Sequence, residues 1–330
     1  MNDSANLTQM DGASLQREFA TRVCKPDAAA LHTASGNFSA AEQRAAVAGA
    51  LVWSAFMAPA ASTSVFDIVA AGVLSRPGEL AVADVEEAAL PDAFWDAFAN
   101  VLAGPAGGYD AGSITAAVAS LGASVGEDFA PLAEAAAASH PGADDPARKP
   151  MPALISLQTL SVCPPDSLAR TLHRMLVDNG FDPEVLDRES LGLSDLTPAL
   201  RYLNTRILQM HDVWHLVAGY ETTALHEIAI SSFQLAQFGH NYSGMFLAFI
   251  VLRSHLGGGL GYELLMRTIA EAWHHGRENP PFMAVEFEEE WQDSIDTIRT
   301  RHGIQPFQGS FPADLFERLA AQPAAASSGA

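Results

Sequence analysis

A chain of 330 residues that is 48% hydrophobic can bury the core of one large domain or two small ones, so it is expected to fold as a globular protein. Thirty-nine acidic residues against eighteen basic ones give a formal charge of -21, a field that repels phosphate backbones and anionic headgroups and excludes a nucleic-acid partner. Cys24 and Cys163 stand far apart in no metal or redox spacing, so no disulfide framework is expected and a reducing cytoplasm is the expected location.

Residues 1–38 lack sustained periodicity and read as a flexible N-terminal segment. The first 22 have neither a basic start with an apolar run nor an arginine-rich, acid-free character, so neither a secretory nor a transit segment is expected. An Ala-rich helical region follows over 39–138. It opens at "SAAE", where Ser39 and Glu42 have capping-box spacing, and this first helix closes at Ala58-Pro59. "SVFDIVAAGVL" is another apolar segment. "PDAFWDAFANVLAG" carries proline in its first turn and glycine past its last, the asymmetry of a short helix. From Ala106 to Ala138 the Ala, Gly and Ser content gives weak helices that packing must support. "SHPGADDPARKPMP", with its four prolines, reads as a linker over 139–152.

The second half, 153–307, reads as a helical core. Asp166 can cap "SLARTLHRMLVDN", which Gly180 ends; Thr197 and Pro198 open a long helix that reaches Ala218 and stops at Gly219. Along it Leu200, Leu203, Ile207, Met210, Trp214 and Val217 recur every three or four residues, an apolar stripe facing other helices. Helical patterns also run through "TALHEIAISSFQLAQF", "GYELLMRTIAEAWHH" and "VEFEEEWQDSIDTIRTRH". The longest apolar run, Gly244 to Leu252, is stopped by Arg253 at about half the length of a membrane span. Residues 308–330 end in "AQPAAASSGA" and read as a flexible tail. With no hairpin signal between alternating strands, the fold class is all-α, a helical bundle.

One stretch carries chemistry: "QMHDVWHLVAGYETTALHEIAI". On a helix His211 and His215 lie one turn apart on one face, able to reach a single ion, with Asp212 rotated toward the polar side. Gly219 ends this helix, Thr222 or Thr223 can cap the next, and the two form an antiparallel hairpin. Glu227 lies as far beyond the turn as His215 lies before it, so the two can meet. Two imidazoles and two carboxylates suit zinc or another divalent first-row ion, and these donors alone do not choose among the metals. Glu221 reads as a solvated turn residue. His274 and His275 read as caps in a last helical turn, His240, His255 and His173 as lacking spaced partners, and Glu286, Glu288, Glu289 and Glu290 as a solvated face. "LGGGLG" reads as a connection between helices, since no strand precedes it.

"HDVWH", followed after eleven residues by Glu227, resembles the coenzyme Q (ubiquinone) biosynthesis protein four family. "CPPDSLARTLHRMLVDNGFDP" is similar to a family segment with an Asn-x-x-x-Pro-like exit. "AWHHGRENPPFMAVEFEEEWQDSIDTIRTRHGI" is similar to its C-terminal block, with Gly276, Glu288, Trp291, Arg299 and Gly303-Ile304 at matching places. The resemblance covers about residues 153 to 304. It implies an all-α protein holding a divalent ion, usually zinc, through His211, Asp212, His215 and Glu227. It also implies a groove for a polyprenylated aromatic lipid and work at the step that removes the ring carboxylate and installs a hydroxyl. The apolar stripe and "MFLAFIVL" are candidates for that groove, with ordinary core as the alternative for each residue. His226 stands where the family has glycine; it could part the two helices, add a fifth donor or mark another substrate.

Three functions follow as expectations. The first is a metal-dependent carboxy-lyase or hydroxylase of ubiquinone synthesis. The second is a non-catalytic prenyl-lipid-binding scaffold for other quinone-biosynthesis proteins. The third, ranked last, is a phosphohydrolase with His173 and Asp293 as outlying ligands. A lipid substrate implies peripheral contact with the inner face of a membrane, and homo-oligomerisation stays open.

Overall fold

The apolar periodicity resolves into helices throughout. Residues 11–78, 81–105, 108–109, 111–143, 154–180, 193–259 and 261–321 are described by the computed structural model, and every regular element among them is helical. The first half holds α1 (Gly12–Phe19), α2 (Ala28–Ser35), α3 (Ala41–Phe56), α4 (Ser62–Val73), α5 (Asp92–Ala103), α6 (Ala111–Ser124) and α7 (Phe129–Ser139). The second holds α8 (Leu157–Ser161), α9 (Leu168–Asn179), α10 (Pro198–Ala218), α11 (Ala224–Phe238), α12 (Asn241–Leu256), α13 (Tyr262–Glu278), α14 (Ile295–His302) and α15 (Leu315–Ala321). The fold is all-α, as expected.

Several starts and stops differ from the sequence reading. Helix α1 stands where no periodicity is visible: at two turns it is too short to repeat, yet Asp11 caps it by accepting from Ser14 N, and Leu15 and Phe19 bury one face. Helix α3 begins one residue after Ala40, whose N–H donates to the Gln43 side chain, so neither Ser39 nor Glu42 makes the expected capping box. Ser167, not Asp166, caps α9, accepting from Arg170 N at 3.2 Å while Asp166 stays exposed in the preceding turn. Helix α15 occupies part of the expected tail, ordered by its contact with α11. Of the linker, Pro141–Ala143 forms a 3-10 turn. Residues 144–152 and the Phe181-Pro183 exit lie outside the described residues, as do residues 1–10, Leu260 of "LGGGLG" and the last nine residues of the tail.

Two apolar clusters form the core. Helices α3, α4 and α5 pack with α12 and α13 in the first; Phe66 of α4 stacks on Trp273 of α13 with ring centroids 5.0 Å apart. Helices α9, α10 and one face of α11 pack with residues 282–307 in the second. Helix α11 serves both, giving Ala229, Ile230 and Phe233 to the second cluster and Leu235 and Ala236 to the first. It lies close to α13 because Gly276 has no side chain there: a Cβ would come 2.8 Å from that of Ala236 and 2.9 Å from Phe233 O. Leu203, Ile207, Met210, Trp214 and Val217 are buried in the second cluster and Met245, Leu247, Phe249, Val251 and Leu252 in the first. Most of both apolar runs is therefore packed core, with Leu200, Phe246 and Ile250 partly buried at its edge. Among the described residues no helix is long and apolar enough to cross a membrane.

Candidate metal centre

The hairpin expected from the sequence forms between α10 and α11, and other elements hold its ends. At the start of α10 the side chain of the N-cap Thr197 makes no bond to its own helix. Glu134 of the Ala-rich α7 takes that role, accepting from Ala199 N at 2.8 Å, Leu200 N at 2.9 Å and Thr197 Oγ1 at 2.5 Å. A carboxylate there satisfies two of the free N–H groups and meets the positive end of the helix dipole. At the far end every one of the last four carbonyls has a donor. Gly219 and Tyr220 donate to His215 O, the Arg299 guanidinium to Leu216 O and Val217 O at 2.9 Å each, and Phe307 N to Ala218 O at 2.7 Å. Gly219 turns the chain at φ +80°, and a Cβ on it would meet that of Pro306 at 2.8 Å. Helix α11 is likewise started from outside: Glu317 of α15 accepts from Ala224 N at 2.9 Å, and Thr223 Oγ1 donates to Ala313 O.

This frame brings His211, His215 and Glu227 together, one ligand atom from each lying within 4.8 Å of the others. The two Nε2 atoms are 3.0 Å apart, and each lies 3.3 Å from a Glu227 oxygen. Asp212 does not join the three; it acts on His211 through its charge. Burial alone would lower the proton affinity of His211, but Glu227 beside it, with Asp212, holds it above the ordinary histidine range. The Glu227 carboxyl is pushed up by burial and down more strongly by the two imidazoles, ending well below the usual carboxylate range.

The donor set fits a small divalent cation. His215 Nδ1 faces the Tyr220 carbonyl at 3.3 Å, which can only accept, so the proton of the neutral ring sits on Nδ1 and Nε2 presents a lone pair. That lone pair and the Glu227 carboxylate are both acceptors, an arrangement that calls for a positive charge between them. Donors about 2.0–2.1 Å from a tetrahedral zinc lie about 3.3 Å from one another, close to the spacings seen here.

The other sequence candidates separate from this centre. His226 supplies no further donor: its Nδ1 accepts from Glu221 N at 2.8 Å, closing the turn, and its ring packs edge-on against Tyr220 and Phe307. Glu221 is exposed, as expected. His275 is more than a cap: Tyr220 Oη donates to its Nδ1 at 2.8 Å, and its Nε2 donates to Gln305 O at 2.7 Å. The acidic run is not one solvated face, since Glu288 pairs with the buried Arg206 and Glu290 with Arg301 and His302. Asp293 pairs with Arg301 at 2.7 Å, and neither it nor His173 stands in the cluster, so the phosphohydrolase arrangement does not form.

Sequence reasoning missed the residues behind His211. The Gln234 amide nitrogen lies 2.8 Å from His211 Nδ1, and its oxygen lies 3.4 Å from Ser243 Oγ, which donates to it in this arrangement. His240 Nδ1 is 2.9 Å from that hydroxyl, and its Nε2 is 3.2 Å from Asn204 Oδ1. Gln234, Ser243 and His240 are buried. With Asn204 they come from three helices and the turn between two of them, so no spacing along the chain links them; the one signal is polar residues inside otherwise apolar helices.

Residues 147–308 match the family model described as Coenzyme Q (ubiquinone) biosynthesis protein Coq4. A relative from Drosophila grimshawi named "Ubiquinone biosynthesis protein COQ4 homolog, mitochondrial" is 28% identical over 156 residues, 47% of this chain and 56% of the relative. The protein of that name from Drosophila yakuba is 28% identical over 192 residues, 57% of this chain and 69% of the relative. The chain thus spans little more than half the length of the first of these. A solved structure from Nostoc punctiforme shares 23% identity and a TM-score of 0.49, over 65% of this chain and 98% of that one. The expected cytoplasmic location is overturned, because these relatives are named mitochondrial. Unpaired cysteines suit any compartment that keeps thiols reduced, so they do not select the cytoplasm.

Proposed function

We propose that the chain, which matches the Coq4 family over residues 147–308, is a member of it and serves ubiquinone biosynthesis with a divalent ion held by His211, His215 and Glu227. The observation that carries the reading is the convergence of the His215 lone pair and the Glu227 carboxylate at 3.3 Å. Zinc is the ion to test first. Asp212, half-buried at the edge of the centre, is the fourth candidate ligand and contributes charge where it stands.

The substrate in this reading is a polyprenylated hydroxybenzoate, and the reaction replaces its ring carboxylate by a hydroxyl. Loss of carbon dioxide with gain of a hydroxyl is a two-electron oxidation. His211, His215 and Glu227 cannot accept those electrons, so an oxidant of the dioxygen class has to be supplied. A bound divalent ion would supply Lewis acidity and a template for the substrate's oxygens. The chain's own part is to orient: Arg299 and Glu134 fix the axis of α10, Glu317 fixes the start of α11, and Glu227 is held ionised by the two imidazoles. Other quinone-biosynthesis proteins are the partners this pathway implies.

The second reading is a lipid-binding scaffold with a structural ion. It is favoured by closure of the hairpin from every side, which suits a site built for rigidity. Elemental mass spectrometry on purified protein separates the ion from its absence: about one zinc per chain, lost in the His211→Ala, His215→Ala variant with helical content kept, supports the centre. Release of carbon dioxide from a prenylated hydroxybenzoate by the loaded protein, absent in that variant, supports the enzyme. Zinc binding with no turnover under an oxidant leaves the scaffold.

A further inference from the structure

Behind His211 a buried line of polar groups runs away from the centre, and its donors and acceptors can be assigned from the far end. Asn204 Nδ2 donates to Leu200 O at 2.7 Å, so Asn204 presents its oxygen to His240. A carbonyl-type oxygen only accepts, so His240 Nε2 carries a proton. Burial pushes His240 down to about 3, and the ring is neutral near pH 7. Its Nδ1 is therefore a bare lone pair, which Ser243 Oγ must fill by donating at 2.9 Å. The hydroxyl has then spent its proton and can only accept from Gln234, so the carboxamide, which stands with its nitrogen toward His211 and its oxygen toward Ser243, has to be turned end for end, nitrogen toward Ser243 and oxygen toward His211. The two ends of a carboxamide have nearly the same shape, so the surrounding partners decide its orientation. The opposite orientation would leave the His240 lone pair facing the Asn204 oxygen, two buried acceptors with no hydrogen between them.

We propose that Asn204, His240, Ser243 and Gln234 form a one-directional hydrogen-bond chain that fixes neutral His211 with its proton on Nδ1 and its lone pair on Nε2. That nitrogen is the one 3.0 Å from His215 Nε2 and 3.3 Å from Glu227. With His215 set the same way by the Tyr220 carbonyl, both rings are prepared for an ion before it arrives, and Gln234 is a positioning residue. The purpose of the chain rests on the metal reading above. The tautomer itself is a property of the protein without metal and can be read independently.

The test is a long-range nitrogen–proton NMR correlation of the histidine rings in the full chain, metal-stripped, at a pH above the histidine range. The expected pattern is Nδ1 protonated and Nε2 bare for His211, and the reverse for His240. A His211 ring protonated on Nε2 overturns the proposal. A competition titration with zinc gives the second readout: Gln234→Leu should bind about 10–100-fold more weakly, whereas Gln234→Glu, which keeps an acceptor on His211 Nδ1, should bind close to wild type. Equal affinity in the leucine variant also overturns it. Asn204→Leu, remote from His211, should leave a mixture of His211 tautomers. Should a variant fail to fold, the wild-type spectrum decides alone. The expected tautomers without zinc binding would uphold the chain and reject the metal reading; zinc binding with the wrong tautomer would do the opposite.

Discussion

Glu227 carries the charge of the centre, since the two imidazoles are neutral donors in the form that binds an ion. Replacing it by glutamine keeps the size and one oxygen acceptor but removes the negative charge that holds His211 above its ordinary range. The Glu227→Gln protein should therefore lose zinc affinity by at least an order of magnitude and show a lower His211 titration midpoint in the metal-free state. Isothermal titration and ring NMR check the two effects separately. Gly219 tests the turn rather than the charge. Its φ of +80° is strained for any side chain, and a methyl there would meet Pro306. Gly219→Ala should cost about 1–3 kcal/mol in denaturant unfolding, more than a helix propensity change would give, and should loosen the ion as well. The histidine pair was legible in the sequence because the spacing of four within one helix is a local quantity. Gln234, Ser243, His240 and Asn204 were not, because their partnership exists only once α10, α11 and α12 have packed.

At the scale of elements, the metal helix is held by residues from outside it. Glu134 sits in an alanine-rich stretch whose composition gives no hint of a task, yet it supplies the N-cap that Thr197 does not. Glu134→Ala should destabilise the fold by about 0.5–2 kcal/mol, the range for losing a cap. Amide exchange should rise first at Ala199 and Leu200, the residues whose N–H groups lose their acceptor. A uniform rise over the chain would mean that the contact is not a cap. Arg299 closes the opposite end, and Arg299→Met, which keeps much of the stem, leaves two carbonyls to find new donors. Its expected signature is faster exchange around the Gly219 turn with weaker zinc binding. Helix periodicity revealed α10 to the residue at both ends, because Pro198 and Gly219 are strong local signals. It did not reveal α1, α2 or α15, whose one or two turns are stabilised by what they pack against rather than by their own pattern.

For the whole molecule, the distribution of buried histidine predicts how stability follows pH. Burial pushes His140 and His255 down from 6.5 to about 4, with nearby arginines adding to each, and His240 to about 3. A group whose folded value lies below its unfolded value makes the unfolded chain bind more protons between the two, so stability rises with pH across that window. Stability should accordingly be full above about 6.5 and fall as pH drops toward 4. His211, whose value is raised, has the opposite sign, contributing below the histidine range and losing its contribution as pH climbs; it is opposed by these three and by His226, His274 and His275, which burial also lowers. The charge of -21 acts in a lower window, since self-repulsion is relieved only when carboxylates protonate. His255 isolates the effect because it lies away from the centre: Arg44 and Arg22 lower it electrostatically, the Phe19 ring lies 6.3 Å away, and its Nδ1 has no hydrogen-bond partner. In His255→Phe the ring volume stays while the titrating group goes, so nothing buried is left unpaired. Thermal unfolding followed from pH 7 to pH 4.5 should show a shallower fall in Tm for this variant than for the wild type, with the two converging near pH 7. Parallel curves would mean that His255 is not protonated by unfolding in this window, and the acid sensitivity would then belong to the other lowered histidines, His140 and His240 first.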